Sequence, residues 1–194
     1  MNAPSVDVVL ATTNAHKLEE FRRMLPGEGV LRLGALDEAI EVKEDADTFA
    51  GNARKKALTV ARLTGRVALA DDSGLVIEAL GGRPGIHSAR YAASPEARIA
   101  RVLAELEGVP DRRAAFVCAL CLAWPDGRVV ETEGRVEGFI TQEQSGAGGF
   151  GYDPVFHSPE LGCTLAEAAP DRKDAVSHRG RALAALLDRL SRTP

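Results

Sequence analysis

Val6-Asp7-Val8-Val9-Leu10-Ala11, followed by Thr12-Thr13-Asn14-Ala15-His16-Lys17 and then by Leu18, Phe21 and Leu25, decides the fold class. The apolar run, Asp7 apart, predicts a buried strand, and the apolar spacing after the polar turn predicts a helix. The chain therefore opens on a β-α unit. Further along, residues 114–124 and 129–136 are two strand-like runs separated by Pro125-Asp126-Gly127, the signature of a hairpin. Hairpin strands after an initial β-α unit imply a mixed sheet with flanking helices, hence an α/β protein. Thr48 is placed to cap a helix running to about Thr64, with Gly65 as its stop. Ser94-Pro95-Glu96 opens another, with Ile99, Val102, Leu103 and Leu106 on its inner face and Gly108 at its end. Thr164-Leu165-Ala166-Glu167 has the form of a capping box. Arg181, Leu183, Leu186, Leu187 and Leu190 mark a C-terminal amphipathic helix. No linker, repeat or low-complexity block interrupts the chain. Its 194 residues read as one domain, 1–194, in line with about 100–200 residues per domain.

Composition narrows the function classes. A hydrophobic content of 45% supports a real core and argues against disorder. A net charge of −4 argues against a nucleic-acid-coating surface. No run reaches the ~18 apolar residues of a membrane span, and the N-terminus lacks a signal-peptide core, so a cytoplasmic protein is expected. Three cysteines suit a reducing compartment. Cys118 and Cys121 have C-x-x-C spacing but fall in a strand, where residues three apart face opposite sides. Neither a redox pair nor a zinc half-site is expected there.

Four polar clusters stand out. In the first, strand, hydroxyl-rich turn and helix start bring backbone N–H groups and Lys17 towards an anion, a geometry suited to phosphate. The same residues also fit an ordinary cap by Thr13 or Asn14 with a solvated Lys17. It is not a Walker A loop, since the required glycines are missing. The second is Asp71-Asp72-Ser73-Gly74, between the apolar runs 67–70 and 75–77. It reads either as an Asx-type turn between two strands or as a carboxylate site. Adjacent acids on a regular strand face opposite ways, so one is expected to serve a ligand and the other the structure. Mg²⁺ commonly takes one or two carboxylates plus substrate phosphates.

The third cluster is Gly148-Gly149-Phe150-Gly151-Tyr152-Asp153-Pro154. Its glycines permit turns closed to other residues, and its rings offer faces for a nucleobase or members for a core. Gly146 to Gly151 also satisfies G-x-G-x-x-G, but no strand pattern precedes it and Pro154 closes it, against a dinucleotide fold. The fourth is Ser177-His178-Arg179, with Lys173 before it, which supplies donors for phosphate or a base edge. Ser177 beside His178 is adjacency and not a nucleophilic triad.

Taken in order, these segments resemble the inosine/xanthosine triphosphate pyrophosphatase family. The resemblance runs from Leu10 to about Leu187. It rests on residues 11–17, Thr48-Phe49 with Asn52, Lys56-Ala57, residues 70–75, Leu80-Gly81-Gly82 with Pro84-Gly85, Ser88-Ala89-Arg90-Tyr91, residues 148–154 and Ser177-His178-Arg179. Gly51 departs from the family, which usually has an acid before the asparagine. The resemblance implies a long curved mixed sheet with helices forming two lobes around a nucleotide cleft, and a homodimer. It implies Mg²⁺-dependent hydrolysis between the α- and β-phosphates of ITP, dITP, XTP and dXTP, which cleanses the nucleotide pool. Asp72 would be general base and metal ligand, and Ser73 a substrate contact. Glu41 or Glu44 would give a second metal-facing carboxylate, and spacing back from Thr48-Phe49 favours Glu41.

The substrate contacts expected are Thr12, Thr13, Asn14, Ala15, His16, Lys17, Lys56, Ser73, Phe150, Gly151, Tyr152, Asp153, Lys173, His178 and Arg179. Lys17 and Lys56 would clamp phosphate. Lys56 in Arg54-Lys55-Lys56 also fits a solvated basic face. Phe150 to Asp153, Lys173, His178 and Arg179 would read the base, since donors there favour the O6 acceptor of hypoxanthine over the amino group of adenine. A small-molecule triphosphate is the expected partner, with no nucleic acid and no membrane. Two rival readings stand beside this one: a nucleotide-binding regulator without turnover, and a pyrophosphatase for pyrimidine or modified nucleotides.

Overall fold

The computed structural model describes residues 5–25, 30–34 and 40–192. Its strands are β1 (Val6–Leu10), β2 (Leu31–Gly34), β3 (Val67–Ile77), β4 (Arg113–Ala123), β5 (Val129–Ile140), β6 (Phe156–Ser158) and β7 (Cys163–Thr164). They form one sheet in the order β2-β1-β3-β4-β5-β6-β7. The first strand runs parallel to β2 and β3, while β5/β6 and β6/β7 are antiparallel, so the sheet is mixed. The helices are α1 (Ala15–Met24), α2 (Phe49–Thr64), α3 (Pro95–Glu105), α4 (Pro170–Val176) and α5 (His178–Arg192).

The chain divides into two compact units. One comprises Met1–Asp72, Cys118–Gly134 and Arg179–Pro194, the other Ser73–Val117 and Arg135–His178. In the first, strand alternation sorts side chains onto two faces. Val8, Leu10, Leu69, Cys118, Leu120 and Leu122 meet Phe21 and Leu25 near α1 and Leu183 and Leu186 of α5. Val9, Ala68, Ala70, Ala119, Cys121 and Ala123 meet Ala53, Ala57 and Ala61 of α2. The second face is built from small residues on both sides, with the alanines of α2 spaced one turn apart on one stripe. Cys118 and Cys121 thus lie in different clusters, and burial pushes each thiol up to about 12. The core of the second unit joins Leu75, Ile77, Ile99, Val102, Leu106, Phe116, Tyr152 and Phe156.

Helix ends follow their sequence signals. Thr48 Oγ1 accepts from Gly51 N at 3.0 Å, and Gly65 closes α2 at φ 66°. Ser94 Oγ accepts from Ala97 N at 3.2 Å at the head of α3. Trp124 and Gly127 close the β4–β5 connection through a 3.0 Å backbone bond.

Two expectations need correction. Asp71-Asp72-Ser73-Gly74 makes no turn: β3 runs straight through it. Both acids find partners on their own sides of the strand, so the chain need not bend to satisfy them. The capping-box bonds do form, with Thr164 N donating to Glu167 Oε2 at 2.8 Å and Glu167 N to Thr164 Oγ1 at 3.3 Å. They close a turn, however, and the next helix starts only at Pro170. Residues 146–151 likewise follow an irregular stretch after β5 and lead into a short 3₁₀ turn, Asp153–Val155, which is not the strand–loop–helix context of a dinucleotide fingerprint.

Candidate functional site

Residues 71 and 72 have opposite surroundings because the strand alternates. Asp71 is fully buried on the side of α1 and α5. Lys17 Nζ lies 2.8 Å from its Oδ2, and Arg179 Nη2 3.2 Å from the same oxygen. Arg179 Nη1 pairs with Glu20, also buried. Burial alone would raise the Asp71 pKa. The charges of Lys17, Arg179 and Lys56 outweigh it and hold the carboxyl well below the usual range.

Asp72 faces α2. Asn52 Nδ2 donates to Asp72 Oδ2 at 2.9 Å, and Asn52 Oδ1 accepts from Ala46 N at 2.9 Å. One helical turn beyond Asn52, Lys56 is ion-paired with Glu44. Burial raises the Asp72 pKa and the nearby charge of Glu44 adds to it. Lys56, Asn52 and Lys17 pull the other way without cancelling the rise. Lys56 is pushed down by burial but held protonated by Asp71, Glu44 and Asp72. The adjacent pair is thus split, the pKa of Asp71 lowered and that of Asp72 raised, the separation expected where two carboxyls have different tasks.

The turn before α1 is occupied by its own cap. Asn14 Oδ1 accepts from His16 N at 3.0 Å and Lys17 N at 3.3 Å, and Thr12 Oγ1 accepts from Asn14 N at 3.2 Å. Two of the N–H groups expected to meet an anion therefore carry an internal acceptor. Thr13, Asn14, Ala15 and His16 are exposed.

In the second unit, Asp153 organises the glycine-rich loop. Its Oδ2 accepts from Phe150 N at 2.7 Å and from Lys173 Nζ at 2.6 Å, with both ionic side chains buried. Gly149 has φ 69°, and a Cβ on it would sit 2.2 Å from Asp153 Oδ2, so only glycine lets the carboxylate close the loop. The Lys173 ammonium also lies 5.1 Å from the centroid of the half-buried Phe150 ring. Tyr152 is buried in the core and its hydroxyl donates to Ser88 O at 2.9 Å. Gly151 has φ 64° and open space around it. His178 is buried and stacked on Phe116, ring centroids 4.8 Å apart at 13°. Ser73 is half-buried.

The structure thus gathers Lys17, Lys56, Asp72 and Arg179 in one unit, and Phe150, Asp153 and Lys173 in the other. It corrects three expectations. Arg179 is enclosed with Asp71 and Glu20, which suits it to holding a buried anion more than to reading a base edge. Tyr152 presents no open face. Glu41 is exposed, whereas Glu44 is half-buried and its charge acts on Asp72, so of the two acids it is Glu44 that lies beside Asp72. The cause is parity: residues 40–46 alternate, with Ile40, Val42, Glu44 and Ala46 partly buried and Glu41, Lys43 and Asp45 exposed. Ile40 and Val42 pack on the α2-side cluster, which sets the phase. That alternation was readable in Ile40-Glu41-Val42-Lys43-Glu44. Sequence reasoning also missed Glu20. Its signal is the stripe Lys17, Glu20, Phe21, Met24, which places an acid among inward residues of α1.

An α/β protein with a mixed seven-stranded sheet, whose third strand sets a carboxylate of lowered pKa beside one of raised pKa among lysines, is the class that fold and site define. The chain belongs to the Ham1 family, whose model matches residues 8–189. It is 47% identical over 192 residues to a protein of Desulforamulus reducens named dITP/XTP pyrophosphatase, covering 95% of this chain and 96% of that one. A Prochlorococcus marinus protein of the same name is 52% identical over 180 residues, covering 92% and 88%. Among solved structures, a HAM1 protein from Coxiella burnetii superposes with a TM-score of 0.86 at 39% identity, covering 97% of this chain and all of that one.

Proposed function

We propose that this protein is a Mg²⁺-dependent nucleoside-triphosphate pyrophosphatase that converts dITP, ITP, XTP and dXTP to the monophosphate and pyrophosphate. The observation that carries the reading is Asp72, a carboxylate with a raised pKa, hydrogen-bonded by Asn52 and close to the charge of Lys56, in a chain whose family relatives are named dITP/XTP pyrophosphatase.

In this reading Asp72 accepts the proton of a water whose oxygen attacks the α-phosphorus. The α–β P–O bond breaks and pyrophosphate leaves. A general base in this position typically contributes ~10²–10⁴-fold. Lys56 and Lys17 offset phosphate charge, Lys17 while also neutralising Asp71. The donor set suits a hard divalent cation. Asp72 and Glu44 are oxygen ligands whose charges already work against one another, a repulsion that a cation relieves. Two carboxylates are within the one or two that Mg²⁺ commonly takes from a protein. When bound, Mg²⁺ supplies charge neutralisation on the triphosphate and polarises the attacking water.

Base selection is assigned to Phe150 as a stacking face, with Lys173 and His178 as donors to O6. Arg179 is assigned to Asp71. The protein is proposed to act in the cytoplasm as a homodimer on a free nucleotide; among the described residues no helix is long and apolar enough to cross a membrane. The test is kcat/KM across dITP, ITP, XTP, dATP, dGTP and dCTP with Mg²⁺. Inosine and xanthosine nucleotides should exceed dATP by tenfold or more, on the scale of one charged hydrogen bond of about 1.5–3 kcal/mol. Equal turnover of dATP, or preference for dCTP, would sink the reading. Light scattering at micromolar protein should give the dimer mass, and a concentration-independent monomer would remove that part.

A further inference from the structure

Asn52 is buried at 1% relative exposure in the first turns of α2, an unusual place for an amide without a task. Burying an amide is costly unless both ends are hydrogen-bonded. Here both are: the NH₂ donates to Asp72 Oδ2 at 2.9 Å and the oxygen accepts from Ala46 N at 2.9 Å. The two partners belong to the two carriers of the proposed cation ligands. Asp72 is one ligand itself. Ala46 lies two residues after Glu44 on the alternating segment 40–46, where those two residues share a phase. Lys56, one turn on from Asn52, holds Glu44 by its ion pair. The segment is therefore tied to α2 at two successive positions of one helix face.

Only an amide fits the first of these. Aspartate would accept from Ala46 but repel Asp72. Leucine would fill the space and hold neither. We infer that Asn52 is a positioning residue that sets Glu44 and Asp72 in one register, one amide fixing the plane of the Asp72 carboxylate and the phase of the Glu44 segment together. This rests on the proposed cation-dependent reaction and deepens it. Residues that orient metal ligands through hydrogen bonds typically cost about 10–100-fold in metal affinity or activity when replaced.

The test uses the full-length protein with Mn²⁺ as the probe. Binding is read from loss of the free-ion electron paramagnetic resonance signal, beside kcat and KM for dITP and the melting temperature. Asn52→Leu keeps the branching and the number of heavy atoms and loses both bonds. It should weaken Mn²⁺ binding and lower kcat by about tenfold or more, with KM for dITP changed less than kcat. Asn52→Gln keeps an amide on a longer arm and should fall between native and Asn52→Leu, at least about threefold below native in Mn²⁺ affinity. A folded Asn52→Leu with native Mn²⁺ affinity and kcat overturns the inference. So does Asn52→Gln indistinguishable from native, which decides the matter alone if Asn52→Leu does not fold. If instead the native protein binds no Mn²⁺, or releases no pyrophosphate from dITP, the underlying reading fails and takes the inference with it.

Discussion

At the scale of single residues, the account turns on two neighbouring aspartates made different by the pleat. Asp72→Asn keeps shape but removes the proton acceptor, so kcat should fall at least ~10²-fold with little change in melting temperature. Asp71→Asn should do the reverse in emphasis. It leaves Lys17 and Arg179 facing a neutral amide in a buried site, a change of about 3–5 kcal/mol in stability by comparison with other broken buried pairs. Urea unfolding and kcat measured on both variants check the split, and an Asp71→Asn that is fully stable contradicts it. The same pair makes a statement about pH. The fold lowers the Asp71 pKa relative to the unfolded chain. Its contribution is therefore complete above the ordinary carboxylate pKa and is lost as pH falls through the lowered folded value. Unfolding free energy measured downward from about pH 5 should decline more steeply for the native protein than for Asp71→Asn. That the two acids would face opposite ways, into different surroundings, was legible from strand alternation alone. Which partners would do the pinning was not, because Glu20 and Arg179 are 159 positions apart in sequence and only the fold brings them together.

At the scale of elements, the 148–154 loop carries a sharper test of base recognition. Gly149→Ala drives a Cβ into Asp153 Oδ2 and forces a side chain to φ 69°, whereas Gly151→Ala meets open space and pays only for φ 64°. Gly149→Ala should therefore displace Asp153 from Phe150 N and Lys173, raising KM for dITP by about tenfold or more. Gly151→Ala should cost on the order of 1 kcal/mol of stability and raise KM less than Gly149→Ala does. Equal effects from both would mean that Asp153 does not organise the loop. The elements themselves were well marked in the sequence. The caps at Thr48 and Ser94, the stop at Gly65 and the hairpin at Pro125-Asp126-Gly127 depend on local chemistry that the chain displays openly. The misreadings share a cause. Asp71-Asp72-Ser73-Gly74 and Thr164-Leu165-Ala166-Glu167 both carry good local turn or cap chemistry, and tertiary partners decide what becomes of it. In the first, both acids find partners and the strand continues without a turn. In the second, the reciprocal bonds survive while the chain after Glu167 turns away from helix.

At the scale of the whole molecule, the mixed sheet explains how one strand supplies both kinds of carboxylate. Within the first unit, β3 has helices α1 and α5 on one side and α2 on the other, so each aspartate is answered from a different helix. The small-residue face towards α2 lets that helix lie close, and Asn52 and Lys56 sit on it at the level of Asp72. Ordered motifs spread along the chain pointed to this arrangement, while the strap of residues 40–46 did not stand out until its alternation was read against the apolar positions Ile40 and Val42. The central claim is that the α–β anhydride of a hypoxanthine or xanthine nucleotide is cleaved. The direct measurement is phosphorus NMR of dITP turned over with Mg²⁺ in ¹⁸O-enriched water. The account predicts dIMP carrying the heavy oxygen on its phosphate together with unlabelled pyrophosphate, and no turnover after chelation. Labelled orthophosphate with dIDP, or heavy oxygen in the pyrophosphate, would contradict it.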